Sequence, residues 1–228
     1  MKRLVVLFFL FLLAASERQT LSGKMFTFPV ESNRHHVSLT PELNNSNFTA
    51  LTVCLRAFSD LFQNQSLFSL AFPSQENAFV IFKPKQGTYR LHVGAPYVEF
   101  LGLPDDPNVW NSVCATWEGK TGVAQLWVNG NPSTRKGFSR GGSLSGAPSI
   151  TLGQERSKAG FVASRSFVGM LTDVHMWDSV LPLEQLAYYT YGLQFQPGNV
   201  LNWNSLEFSK IGYVLLECTK TTQKLRIN

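Results

Sequence analysis

The chain has 228 residues, of which 44% are hydrophobic and 15% are charged. So low a charged fraction excludes a long disordered tail or a coiled coil, and the apolar content is sufficient for one true core. All-β sandwiches commonly reach about 200–250 residues as a single unit, so the length fits one domain. The formal net charge of +5 is too small to indicate a nucleic-acid-binding groove.

The first sixteen residues have the pattern of a secretory signal peptide. Lys2 and Arg3 precede an unbroken apolar run over residues 4–15, and small residues follow at a potential cleavage site. The run is shorter than the ~20 residues that span a bilayer, and no other segment is long and apolar enough to do so. We therefore expect a signal peptide over 1–16 and a secreted domain over 17–228.

Three cysteines remain in the exported chain. Cys54 and Cys114 both lie in apolar segments typical of strands, so a bridge between two core strands is the best pairing in an oxidising compartment. Cys218 stands near a polar tail, residues 218–228, and is left for an intermolecular bond or a free thiol. Three acceptor triplets for N-glycosylation begin at Asn44, Asn47 and Asn64.

Short strand-like segments recur along the chain, and helical periodicity is scarce. The predicted strands are residues 37–39, 51–58, 79–82, 89–93, 123–128, 150–152, 167–168 and 173–177. The dipeptide Asn129-Gly130 is typical of a tight hairpin turn. Many strands separated by Gly and Pro predict a two-sheet sandwich or a barrel.

One helix is predicted over residues 183–191. Pro182 suits its start and Gly192 its end. An apolar stripe should pack this helix on the sandwich, and its members are Leu183, Leu186 and Ala187.

Catalytic motifs are missing from the sequence. The segment 142–146 has the glycines of a nucleophile elbow, but Leu144 stands at the position of the serine. The four histidines are scattered, and no strand carries closely spaced carboxylates on one face. We therefore expect no enzymatic activity. A secreted sandwich-fold glycoside hydrolase with two facing carboxylates is the remaining catalytic alternative.

The segment Cys114-Ala115-Thr116-Trp117 fits the middle of the pentraxin signature, although Ser112 stands where that family has His. Further matching stretches are residues 26–29 (FTFP), 51–54 (LTVC), 126–130 (LWVNG), 150–155 (ITLGQE), 174–178 (VHMWD) and 199–203 (NVLNW). In order and together, over roughly residues 26–216, they make the chain resemble the short pentraxins.

The resemblance implies a legume-lectin-like (concanavalin A-like) jelly-roll sandwich with one α-helix packed on one face and a Cys54–Cys114 disulfide. It also implies a cyclic homo-oligomer, usually a pentamer. In the family, the helix face engages complement and Fc receptors. The opposite face binds phosphocholine through two Ca²⁺ ions.

The family's calcium ligands are only partly present. By resemblance the metal ligands are Glu76, Asn77, Glu155 and the backbone carbonyl of Arg156. Val162 and Arg165 stand where the family's loop supplies Glu and Gln, and the loop is shorter. Because cations repel one another, the resemblance leads to the hypothesis that the second ion is lost and the first weakened or lost.

The phosphocholine pocket is also partly retained. Phe82 aligns with the family's pocket phenylalanine, or is an ordinary core residue, and Tyr97 replaces the acidic residue that faces choline. Tyr97 still offers an aromatic face for a cation. Arg156, Lys158 and Arg165 form either a site that holds an anionic ligand without metal or a solvated basic loop.

The sequence thus predicts a secreted, acute-phase-like recognition protein of innate immunity with several sites on a ring. Its expected partners are phosphocholine-like or anionic surface ligands and complement components. No motif specific for nucleic acid and no membrane span are expected. The first rival is a divergent structural or carrier protein that binds anions without calcium. The second is the glycoside hydrolase.

Overall fold

Two antiparallel sheets pack face to face in the computed structural model, which describes residues 18–42, 46–156 and 160–219. The predicted signal peptide, Asn44, Lys158 and the tail after residue 219 lie outside the described residues. No helix in the described ranges is long and apolar enough to cross a membrane.

We call the two large sheets sheet A and sheet B. Sheet A consists, in spatial order, of β11 (Asn131–Pro132), β10 (Val123–Val128), β9 (Asn111–Glu118), β4 (Ala50–Phe58), β15 (Gly169–Trp177), β1 (Lys24–Phe28) and β17 (Leu215–Cys218), with β12 (Lys136–Gly137) also beside β10. Sheet B consists of β16 (Glu207–Ile211), β2 (His36–Thr40), β14 (Ser149–Leu152), β5 (Gln63–Phe72), β6 (Gln75–Lys85), β7 (Thr88–Val93) and β8 (Tyr97–Leu101). A small ribbon pairs β3 (Ser46–Phe48) with β13 (Leu144–Gly146). The predicted all-β sandwich is confirmed.

The alternation of side chains along each strand determines which residues of sheet B point into the core and which point outwards. In β7, Leu91 and Val93 point into the core between the sheets, so Arg90 and His92 point outwards. In β6, Phe79 and Ile81 point into the core, whereas Phe82 lies outside that core. Sheet B therefore carries a row of aromatic and basic side chains on its outer face.

The outer face of sheet A is covered by helix α1 (Leu183–Tyr191). The helix has the predicted bounds, and Gly192 ends it in the left-handed conformation at φ 67°. The predicted apolar stripe is wrong in part, because Leu183 is 68% exposed while Leu186 and Tyr189 are buried. The helix is rotated so that Leu183 lines an open groove of about 430 Å³ beside Trp127.

A disulfide joins Cys54 and Cys114 beneath α1. The two residues lie directly opposite each other on β4 and β9, with an S–S distance of 2.07 Å. The bridge packs with four larger side chains, which are Trp127, Trp177, Leu186 and Tyr189. Cys218 is a free, exposed thiol on the edge strand β17.

The strand predictions differ from the structure in several places, of which two are instructive. Phe167 and Val168 do not form a strand but precede β15, because Phe167 folds inwards as a core residue 5.7 Å from the ring of Phe28. Strand β5 was not predicted, because Gln65, Ser66 and Ser69 interrupt its apolar pattern. These polar residues are nevertheless buried, since other parts of the chain cover the strand.

His175 is a buried base in the layer between α1 and sheet A. It is 2% exposed, its ring stacks 5.7 Å from that of Trp177, and its Nδ1 accepts a hydrogen bond from the Gly198 N–H at 3.3 Å. Burial lowers the pKa of His175 to about 4, so the imidazole is neutral at physiological pH.

This burial predicts a pH-dependent stability. Between about pH 6.5 and 4 the unfolded chain takes up a proton at His175 that the folded protein does not, so the free energy of unfolding falls with the pH, by ~2–3 kcal/mol from this residue. His175→Gln keeps an acceptor for Gly198 and lacks the titration. Urea denaturation should show a constant difference between the two proteins above pH 7 and a shrinking difference below pH 6.5. Parallel curves throughout would contradict the assignment.

Candidate functional site

A long loop between β14 and β15 crosses the outer face of sheet B. Its ends are joined by a hydrogen bond from the Phe167 N–H to the Gly153 carbonyl at 2.9 Å. Gly153 lies at φ 81°, where an added Cβ would meet the Phe28 ring at 2.6 Å, so only glycine fits. A short 3₁₀ turn, Ala163–Arg165, lies over β5. The loop thereby places Glu155 and Arg165 above the sheet.

An ion pair joins these two loop residues. Arg165 Nη2 lies 2.5 Å from Glu155 Oε1, with side-chain exposures of 35% and 6%. The Arg165 guanidinium also lies over the Phe82 ring, with its Cζ 4.5 Å from the ring centroid. A cation on an aromatic face is favourable, and more so where water is partly excluded. Arg165 thus connects the loop to the sheet.

The charge on Glu155 is governed by this environment. Burial raises the pKa of Glu155, and the Arg165 guanidinium, followed by that of Arg90, opposes the increase. Burying a carboxylate is costly unless a cation accompanies it. Here the chain's own arginines supply that cation.

Arg90 extends the site to the edge of sheet B. Its Nη2 lies 2.7 Å from Glu99 Oε1, and its Nε donates to the same oxygen at 3.1 Å. The Arg90 Cζ is 4.2 Å from the Tyr97 ring centroid and 5.8 Å from that of Phe82. Tyr97 is 50% exposed, so its ring forms the open rim of the site.

His92 lies in the same group, with its ring 5.2 Å from that of Tyr97. Burial lowers the pKa of His92 to about 4, and the charges of Arg90 and Arg165 add to this effect. The imidazole is therefore neutral at physiological pH. The outer face of sheet B thus combines two guanidinium groups, two carboxylates, two aromatic rings and a neutral imidazole.

The structure brings together some of the predicted site residues and separates others. Phe82, Tyr97, Glu155 and Arg165 lie around one surface, as the distances above show. Glu76 is exposed at the start of β6 and forms no ion pair within the described residues.

Two further predicted ligands have other surroundings. Asn77 has a buried Oδ1 without a hydrogen-bond partner. Arg156 lies near His36, whose pKa is lowered first by burial and more weakly by the Arg156 charge.

Three residues of this surface were not found from the sequence. They are Arg90, His92 and Glu99. The alternation of β7 and β8 could have indicated them, since they occupy the outward positions of the strands that follow Phe82.

These residues do not fit a calcium ion. Calcium takes six to eight oxygen ligands, several of them from carboxylates. The described residues contain no group of three or more His, Cys, Asp or Glu side chains that could hold a metal. In addition, a guanidinium already neutralises Glu155, the carboxylate that a cation would need.

Comparisons with known proteins establish the family. A model of the Pentaxin family matches residues 24–218. The chain belongs to the pentraxin family. Serum amyloid P-component of Rattus norvegicus is 40% identical over 211 residues, covering 90% of each chain. Mucosal pentraxin of Bos taurus is 38% identical and covers 93% of this chain and 95% of its own.

The fold matches a solved structure of the same family. The crystal structure of the heptameric SAP-like pentraxin from Limulus polyphemus has a TM-score of 0.76 and 25% identity, and the match covers 86% of this chain and 95% of that chain. The family relationship shows that this chain is a binding protein of the pentraxin family and not an enzyme. The glycoside hydrolase alternative is therefore wrong.

The coupling between Glu155 and Arg165 can be measured with a double-mutant cycle. Arg165→Gln leaves a buried carboxylate without its cation, so it should cost more stability than Glu155→Gln. In the double variant neither charge is left unpaired. We expect a coupling energy of ~1–2 kcal/mol in urea denaturation, a value reduced by the partial exposure of the guanidinium. Strictly additive losses would contradict a direct ion pair.

Proposed function

We propose that this pentraxin is a secreted pattern-recognition protein of innate immunity that displays one recognition surface per subunit on a cyclic oligomer. The observation that carries the proposal is the outer face of sheet B, where Arg165 and Arg90 lie over Phe82 and Tyr97. The helix α1 lies on the opposite side of the sandwich and remains available for complement components.

A ring is the assembly expected for such a protein. The Limulus relative is described as heptameric, which supports closed cyclic symmetry with this fold. Several weak sites on one rigid ring gain affinity for a surface that carries many copies of the ligand. Secretion is supported by the segment 1–16 and by relatives whose name places them in serum.

The recognition surface is proposed to function without calcium. Support comes from the engagement of Glu155 by Arg165 and from the exposure of Glu76 noted above. Two ligand classes remain, namely phosphocholine-like molecules and anionic molecules. The partly exposed guanidinium groups favour the anionic class.

A chelator-controlled binding panel tests the recognition function. The purified oligomer is passed over immobilised phosphocholine, an anionic resin and an uncharged resin, each in calcium and in EDTA. We expect retention on the anionic resin that is equal in both buffers. Retention on phosphocholine that EDTA abolishes would overturn the calcium-independent proposal. Absence of binding to any surface would favour the structural or carrier protein.

The ring is tested separately by light scattering with size exclusion and by negative-stain electron microscopy. A closed ring of identical subunits is expected in calcium and in EDTA alike. A monomer under both conditions would refute the multivalent mechanism.

Secretion and modification are tested by expression of the full chain in mammalian cells. The protein should appear in the medium without residues 1–16, and peptide-N-glycosidase should lower its mass. Asn47 and Asn64 are both exposed, and replacing each by Gln should identify the acceptor used. A protein retained in the cells would contradict secretion.

A further inference from the structure

Two buried nitrogen atoms without a partner lie on this surface. They are Arg165 Nε, whose guanidinium lies over Phe82, and His92 Nε2, and neither has a hydrogen-bond partner among the residues that the structure describes. Buried polar atoms in native proteins are nearly always paired, and exceptions often mark the place of a water, an ion or a ligand. Two such nitrogens beside partly exposed guanidinium groups therefore indicate that something binds there.

The free donors outnumber those already used. A guanidinium has five N–H donors in a planar fork. Arg165 uses one nitrogen for Glu155 and Arg90 uses two for Glu99, so most N–H donors of these two side chains have no partner within the part of the chain that the structure describes. The neutral His92 adds a further N–H when its proton is on Nε2. These donors are matched by oxyanions, which accept from a guanidinium in a bidentate manner.

The two guanidinium groups are near enough to each other to share one anion. Both Cζ atoms lie over the Phe82 ring, at 4.5 and 5.8 Å from its centroid, so they are at most about 10 Å apart. An oxyanion bridged by hydrogen bonds of ~2.8 Å on either side holds two such carbons about 8 Å apart. The ring fixes both groups from below, which lowers the entropy lost on binding.

We propose that Arg90 and Arg165 together bind an oxyanion directly, without a metal, on the outer face of sheet B. The ligand class is a phosphate or carboxylate group carried by a surface molecule, and the proposal rests on the recognition function assigned above to the same surface. Tyr97 forms the rim that contacts the body of the ligand. Glu99 competes with the ligand for Arg90, since it holds two of that residue's nitrogens.

Calorimetric titration of the intact oligomer in EDTA tests this site. Inorganic phosphate and acetate are titrated separately, so that the two arms distinguish a phosphate from a carboxylate ligand. Arg90→Gln should weaken binding of the preferred anion by about 10–100-fold, because a charged hydrogen-bonding partner contributes ~1.5–3 kcal/mol. Glu99→Gln should strengthen binding several-fold, because it frees the Arg90 fork. These opposite effects distinguish a built site from a general loss of charge.

Two further variants serve as controls. Arg140→Gln removes the same charge from an exposed position outside this surface and should leave the affinity unchanged. Arg165→Lys retains a charge but loses the fork, and it should weaken binding by at least about tenfold while the ring remains intact.

The outcomes separate this proposal from the recognition function. Tight binding that depends on Arg90 and is strengthened by Glu99→Gln supports the oxyanion site. Absence of binding of either anion, an equal loss in Arg140→Gln, or binding only after calcium is added would overturn it. In each of those cases an intact ring that is retained on one of the surfaces of the panel would leave the recognition function standing.

Discussion

The ion pair between Glu155 and Arg165 determines what the outer face of sheet B can do. A backbone hydrogen bond joins the ends of the long loop, and this pair, through the contact of Arg165 with Phe82, attaches the loop residues next to those ends to the sheet. With Glu155 satisfied from within, the surface offers guanidinium donors in place of a carboxylate cluster. The charged groups that this face offers therefore depend on one contact.

The sandwich separates this surface from the helix. The core between the sheets is about 10 Å thick, with sheet B and its basic, aromatic surface on one side. On the other side, α1 covers the disulfide and His175. A protein with two such sides can bind a surface through one and present the other to a second partner.

The sequence was sufficient for much of the fold because each successful signal was local. Alternation identified β7 and β10, Asn129-Gly130 gave the hairpin, and Pro182 and Gly192 bounded α1. The prediction missed strand β5 because its polar residues are buried by parts of the chain distant in sequence, and no local pattern indicates such burial. The rotation of α1, with Leu183 outward, likewise depends on Trp127 and Trp177 beneath it.

The site was predictable only in part for the same reason. Phe82 and Glu155 were named because they match positions of the family, and Tyr97 and Arg165 because they replace residues of its pattern. Arg90 and Glu99 were not, because their role arises from pairing across two neighbouring strands. The contact between Arg165 and Glu155 spans ten residues of loop, and only the folded chain shows that the guanidinium meets the carboxylate.

The placement of Arg165 also determines where the counter-ion of Glu155 comes from. A metal ion in solution reaches a site at a concentration set by the surrounding fluid, whereas a side chain stays at an effective concentration fixed by the chain itself. This pentraxin carries the counter-ion of Glu155 within its own covalent structure. The charge of Glu155 is therefore balanced by a group that cannot diffuse away from it.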